Sequence, residues 1–139
     1  MDLELDGKNA LVTAASKGLG RAVATQLASE GAQVAISSRS RENLEAAREH
    51  IVETADVDPG SVRLAPCDLS DTDAIRPAIE GAIDELGGLD ILVTNHGGTT
   101  PRRFGEATVE EFDEHYTSIL KSTIIVVKAA LPALEASNG

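Results

Sequence analysis

Four short apolar runs of strand length alternate with longer segments whose apolar residues recur at helical spacing, and that alternation leaves few folds open. The first run, Asn9-Ala10-Leu11-Val12-Thr13, leads into a glycine-containing turn at Lys17-Gly18-Leu19-Gly20. From Leu19 the apolar positions Val23, Leu27 and Ala28 predict a helix, and Gly31 suits the left-handed position beyond its end. Gln33 to Ser37 predicts a second strand, and Arg41 to Ala55, with Leu44, Ala47 and Ile51 on one face, a second helix. Asp58-Pro59-Gly60 reads as a turn and Val62 to Ala65 as the third strand. Ser70-Asp71-Thr72-Asp73 is positioned to cap a helix that runs to Leu86, before Gly87-Gly88. Asp90 to Thr94 is the fourth and most hydrophobic run, followed by a polar loop containing Gly97-Gly98 and Pro101.

Thr108-Val109-Glu110-Glu111 has the form of a capping box opening a long helix to about Ala136, which carries Phe112, Ile119, Leu120, Ile124, Val127 and Leu131. Because Ile124-Ile125-Val126-Val127 is apolar around most of the helix circumference, more than one stripe of it is expected to be buried. Strands alternating with helices at this spacing predict an α/β fold, with a parallel sheet, right-handed crossovers and helices on both faces. No linker or low-complexity tract divides residues 1–139, so a single domain is expected. Its closing residues Ser137-Asn138-Gly139 read as a loop at the place where another strand is expected.

Charge narrows the partners. With 12 basic against 23 acidic residues the net charge is -11, which disfavours a nucleic acid or an anionic membrane. The scarcity of lysine among so many acids resembles proteins of a high-salt cytoplasm. No window reads as the unbroken apolar run of about 20 residues that spans a bilayer, and Met1-Asp2-Leu3-Glu4 lacks the basic start of a signal peptide, so a cytoplasmic location is expected. Cys67 is the single cysteine, which excludes an internal disulfide and a cysteine metal cluster, and no metal site is expected.

A glycine-rich turn between a first strand and its helix brings backbone N–H groups and the positive helix end against an anion, and glycine lets that anion approach. Two glycines alone also fit a tight turn with no ligand; the repeating strand and helix pattern around them favours the anion. The motifs add a specific resemblance. Thr13-Ala14-Ala15-Ser16-Lys17-Gly18-Leu19-Gly20 resembles the T-G-x-x-x-G-x-G loop of short-chain dehydrogenases/reductases. Asp68-Leu69 resembles the family's adenine-contacting pair, and Leu92-Val93-Thr94-Asn95-His96-Gly97 is similar to its L-V-N-N-A-G motif. The opening Leu5 to Thr13 is similar to members of the 3-oxoacyl-carrier-protein reductase type.

The resemblance implies a Rossmann-type doubly wound sheet, here truncated after four strands in the order 3-2-1-4 plus the long helix, forming the amino-terminal, NADP-binding part (1–139) of a longer enzyme. It implies pyrophosphate contacts from Gly18, Leu19 and Gly20, with Ser16 offering a hydroxyl and Thr13 opening the loop. Asp68 would accept from the adenine amino group, the Leu69 backbone would complete the adenine edge, and Asn95 and Gly97 would flank the adenosine ribose. Ala14 stands where the family has its first loop glycine, Thr94 and His96 where it has asparagine and alanine. Since a Cβ in a left-handed conformation costs about 1–2 kcal/mol, Ala14 is expected at negative φ, with the turn made at Gly18.

Ser38 and Arg39 end the second strand, where a carboxylate would select NAD and an arginine accommodates the 2′-phosphate of NADP. Lys17 adds a second cation, so NADP is the expected cofactor, and the lack of an acid there disfavours nucleotide-binding methyltransferases. His96, His50 and His115 read as loop or surface residues, and Arg102-Arg103 as a surface pair. The family's catalytic serine and Tyr-x-x-x-Lys pair follow strand five and are not found in this stretch: Tyr116 is followed four residues later by Leu120, and Ile119 stands where the family's helix asparagine belongs. No catalytic residue is therefore expected within residues 1–139. The expected function is hydride transfer between a nicotinamide and a carbonyl or alcohol substrate in a longer, homo-oligomeric parent; a non-catalytic dinucleotide-binding module or sensor is the alternative.

Overall fold

The computed structural model describes residues 3–139. Strands β1 (Asn9–Val12), β2 (Gln33–Ser38), β3 (Val62–Pro66) and β4 (Ile91–Val93) form one parallel sheet in the order β3-β2-β1-β4. Val12 of β1 lies opposite Ile36 of β2 and Val93 of β4, so the strands end together along one rim of the sheet. The chain crosses between them through α1 (Gly18–Ser29), α2 (Arg41–Ala55) and α3 (Thr72–Leu86). The strand order reverses direction at β1, between β2 and β4, which is where ligands bind in sheets of this kind.

Alternation along each strand feeds two cores. Ala10 and Val12 of β1 and Val34 and Ile36 of β2 face α1 and α2, where they meet Ala24, Ala28, Leu44, Ala47 and Ile51. Leu11 and Ala35 point the other way, towards Ile75, Ile79 and Ile83 of α3 and Val126, Ala129 and Ala130 further along the chain. Helix signals act locally as expected. Ser40 accepts from the Asn43 amide at the start of α2, while Gly31 and Gly87 take left-handed φ values of 89° and 82° after their helices. Asp71 occupies the N-cap of α3, yet its side chain makes no capping bond.

The long helix departs from the expectation of one uniform run. Thr108 and Glu111 close the capping box, and α4 (Val109–His115) begins as expected. A π-helical turn, Tyr116–Lys121, then precedes α5 (Ser122–Ser137). Within residues 3–139 only one stripe of α5 is buried, on the second core. Val109, Phe112, Tyr116, Leu120, Ile124, Val127 and Leu131, spaced three or four apart, form an exposed apolar stripe on another side. Sequence reading also overlooked the length of this apolar segment: Val109–Ser137 has 29 residues and contains an 18-residue window of mean hydropathy 1.5, sufficient by length and composition to cross a bilayer. Lys121 and Lys128 interrupt the run and mask it to the eye. Val126, Ala129 and Ala130 of this segment pack into the second core, while Leu120, Ile124, Val127 and Leu131 stay exposed.

Candidate nucleotide-binding site

A cleft of about 450 Å³ opens along the rim where the strands end. The turn from β1 into α1 supplies Ala14, Ser16, Lys17, Gly18 and Leu19 to one wall, and Ser38 and Arg39 extend it from the end of β2. Cys67 to Ser70 follow from β3, while Asn95 to Gly98 after β4 and Ser118 in the π-helical turn line the remaining side.

Helix α1 starts at this cleft with Lys17 at its N-cap, whose ammonium side chain cannot accept a hydrogen bond, so no side chain caps it. Gly18 has φ +59°, and a side chain at that position would stand in open space. The turn can thus present unpaired N–H groups and the positive helix end to an anion, and the residues present fit a dinucleotide pyrophosphate. Gly20 serves differently. It does not line the cleft; an added Cβ would come within 2.5 Å of the Ala14 carbonyl oxygen and 2.9 Å of Ala15 Cα, so glycine here lets α1 lie directly under the turn.

Ala14 contradicts the expectation of negative φ: it adopts φ +48°. The conformation is held from a distant part of the chain. Asn95 Nδ2 donates to the Ala14 carbonyl oxygen at 3.1 Å, and the neighbouring Thr13 hydroxyl both donates to the Asn95 carbonyl at 2.6 Å and accepts from its amide at 2.8 Å. Thr13 is only 1% exposed and does not face the cleft. Its hydroxyl ties the β1 turn to the loop after β4, a positioning contact rather than one available to a ligand.

At the other end, Asp68 Oδ1 accepts from the Ser70 amide at 2.9 Å and the Ser70 hydroxyl at 2.7 Å, leaving Oδ2 open to a donor. The Ser70 hydroxyl, then its amide, hold the Asp68 carboxyl below its ordinary value against an opposing effect of burial, and the nearby Arg39 guanidinium adds the least. Ser38 donates to Ser16 at 3.1 Å, joining the β2 end to the glycine turn. Burial, with Asp68 and Asp71 nearby, pushes the Cys67 thiol up, which suits a buried wall residue and not a nucleophile.

The remaining candidates separate cleanly. His96 lines the cleft with Nδ1 2.9 Å from the Gly97 carbonyl, whereas His50 is exposed on α2. Arg102 pairs with Glu111 at 3.3 Å, so it is not the unpaired residue its sequence suggests. Tyr116 is 53% exposed and does not line the cleft, and Ile119 lies within the π-helical turn. Cys67 and Ser118 were not legible as cleft residues: Cys67 directly precedes the Asp68-Leu69 motif but is no part of it, and Ser118 depends on where the helix changes its winding.

The chain matches the short chain dehydrogenase family over residues 8–139. It belongs to that family. An uncharacterized oxidoreductase of Staphylococcus aureus is 33% identical over 136 residues, which are 97% of this chain and 56% of that protein. A glucose 1-dehydrogenase of Gluconobacter oxydans is 38% identical over 107 residues, covering 77% of this chain and 39% of its own length. Among solved structures, L-sorbose reductase from Gluconobacter frateurii, complexed with NADPH and L-sorbose, superposes with a TM-score of 0.88 at 26% identity over 99% of this chain and 51% of that one. The chain therefore spans about half the length of the relatives it matches. The sheet order and the glycine turn of this short chain dehydrogenase agree with what the sequence motifs imply.

Proposed function

We propose that this short chain dehydrogenase sequence forms the NADP(H)-binding part of an oxidoreductase that moves hydride between nicotinamide and a carbonyl or alcohol carbon. The observation that carries the reading is the uncapped, glycine-lined start of α1 beside Ser38 and Arg39 on one wall of the cleft, with Lys17 at its N-cap and no acid at the end of β2. Gly18 and Leu19 would give backbone N–H groups to the pyrophosphate and Ser16 a hydroxyl, while Gly20, implied by the motif as a third contact, instead lets α1 pack under the turn. Arg39 and Lys17 would neutralise the 2′-phosphate, with Ser38 leaving it room. Asp68 Oδ2 and the Leu69 backbone would read the adenine edge, and Asn95 and Gly97 would border the adenosine ribose. The bound cofactor supplies the hydride.

L-sorbose, the sugar bound by one solved relative, and 3-oxoacyl thioesters share the ketone this chemistry needs, and a thioester ketone is our first choice because of the Leu5 to Thr13 opening. We assign no proton-transferring group to residues 1–139, since Tyr116 does not line the cleft, and expect this stretch alone to bind without turnover. The exposed stripe from Val109 to Leu131 supports an oligomer, because an apolar band of this length is covered in most proteins. A cytoplasmic location fits the reading.

Titration of the intact protein with NADPH and NADH tests it. One or two charge-assisted contacts to the 2′-phosphate predict a preference for NADPH of about ten- to a thousandfold, largely lost in Arg39→Ala. Equal affinities in the unaltered protein would overturn the assignment of NADP.

A further inference from the structure

Four serines line the cleft, and three of them have hydroxyls engaged inside the protein: Ser16 and Ser38 bond each other, and Ser70 bonds Asp68. Ser118 is the fourth. Its hydroxyl has no partner among the described residues, and it is the one residue of the long helical segment that reaches the cleft.

The winding of the helix explains why it reaches there. Residues Tyr116–Lys121 form a π-helical turn, a wider winding that sequence periodicity does not call for and that concentrates at functional sites. Widening the turn loosens the hydrogen-bond ladder, and two hydroxyls one turn further on close it again. Ser122, which is fully buried, donates to the Ser118 carbonyl at 2.7 Å and approaches the Ile119 carbonyl at 3.3 Å. Thr123 donates to the Ile119 carbonyl at 2.6 Å. The backbone of residue 118 is thus fixed by a buried side chain, while its own hydroxyl is left half-buried and unsatisfied facing Asn95 to Gly98.

We propose that Ser118 contacts the bound dinucleotide through a ribose hydroxyl, with Ser122 as the residue that positions it. The inference rests on the nucleotide-binding reading above. A ribose hydroxyl both donates and accepts, which matches a serine with both capacities free, whereas a phosphate would be drawn to Lys17 and Arg39 on the other wall. The hydroxyl is one that NADPH and NADH share, such as the adenosine 3′-hydroxyl, because the adenosine 2′-hydroxyl is esterified in NADPH.

The test is binding of NADPH and of NADH to the intact protein carrying Ser118→Ala, Ser118→Thr or Ser122→Ala. Loss of one neutral hydrogen bond predicts that Ser118→Ala weakens both dinucleotides by the same factor, about two- to tenfold, with the melting temperature of the ligand-free protein unchanged. Ser118→Thr keeps the hydroxyl and should restore affinity. Ser122→Ala should weaken both dinucleotides and also lower the melting temperature. Unchanged affinity in Ser118→Ala, or a loss confined to NADPH, overturns the role of Ser118 while leaving the proposed function standing. Absence of dinucleotide binding in the unaltered protein overturns the proposed function itself.

Discussion

Gly20→Ala separates two effects that usually travel together at a glycine in a helix. Within an ordinary helix the exchange stabilises by about 1 kcal/mol, because alanine has less backbone freedom to lose. At position 20 the new Cβ would sit 2.5 Å from the Ala14 carbonyl oxygen, about 0.9 Å inside ordinary contact, with Asn95 Nδ2 at 2.8 Å and Ala15 Cα at 2.9 Å. Two of those three atoms are backbone, so no side-chain rotation relieves the clash. Forcing extra volume into such a site typically costs about 1–3 kcal/mol, and the backbone origin of the clash puts this case at the upper end. The net loss should be about 2 kcal/mol, which lowers the melting temperature by roughly 4–8 °C.

The displaced atoms belong to the turn that would hold the pyrophosphate, so dinucleotide affinity should fall as well. Gly81→Ala is the matched control: Gly81 is also inside a helix, but its added Cβ would meet nothing, and that variant should be stabilised by up to about 1 kcal/mol. Thermal melts and NADPH titration of both variants in the intact protein decide the matter. If Gly20→Ala melts at or above the temperature of the unaltered protein and binds NADPH equally well, the close approach of α1 to the turn has been misread.

Ala14→Gly should stabilise by about 0.5–1 kcal/mol, since relief of about 1–2 kcal/mol of left-handed strain exceeds the entropy of the added glycine; a lowered melting temperature would refute it. The lowered Asp68 pKa means that its carboxylate stabilises the fold above the unfolded pKa, and that this contribution is lost as pH falls through the lower folded value. The stability gap between the unaltered protein and Asp68→Asn should therefore be constant above about pH 5 and close below about pH 4; a gap that widens in acid would contradict the hydrogen bonding described. Self-repulsion at a net charge of -11 predicts a melting temperature that rises between about 0.1 and 1 M KCl, and a flat response would show that the acids are already compensated.

Most of the fold was written locally. Helix α2 runs from Arg41 to Ala55, its expected bounds, because Ser40 caps one end and the apolar spacing fixes its buried face. Capping at Thr108 was legible for the same reason: each partner lies within three residues. The cleft was legible as motifs, since the glycine turn, Ser38-Arg39, Asp68-Leu69 and Asn95 to Gly97 all meet at one rim of the sheet.

What sequence reading missed has long-range causes. Ala14 was expected at negative φ on a local strain argument, but Asn95, 81 residues away, bonds the Ala14 carbonyl, and Thr13 bonds the Asn95 backbone beside it. A tertiary clasp of several hydrogen bonds, each contributing about 0.5–1.5 kcal/mol, outweighs about 1–2 kcal/mol of backbone strain. The π-helical turn escaped for a related reason. Adding one residue to a single turn barely alters the apolar spacing over a segment of 29 residues, and the hydroxyls of Ser122 and Thr123 that close the turn read in sequence only as small polar residues on a helix. In both places the residue types were visible, and the partner that decides their conformation was supplied by folding.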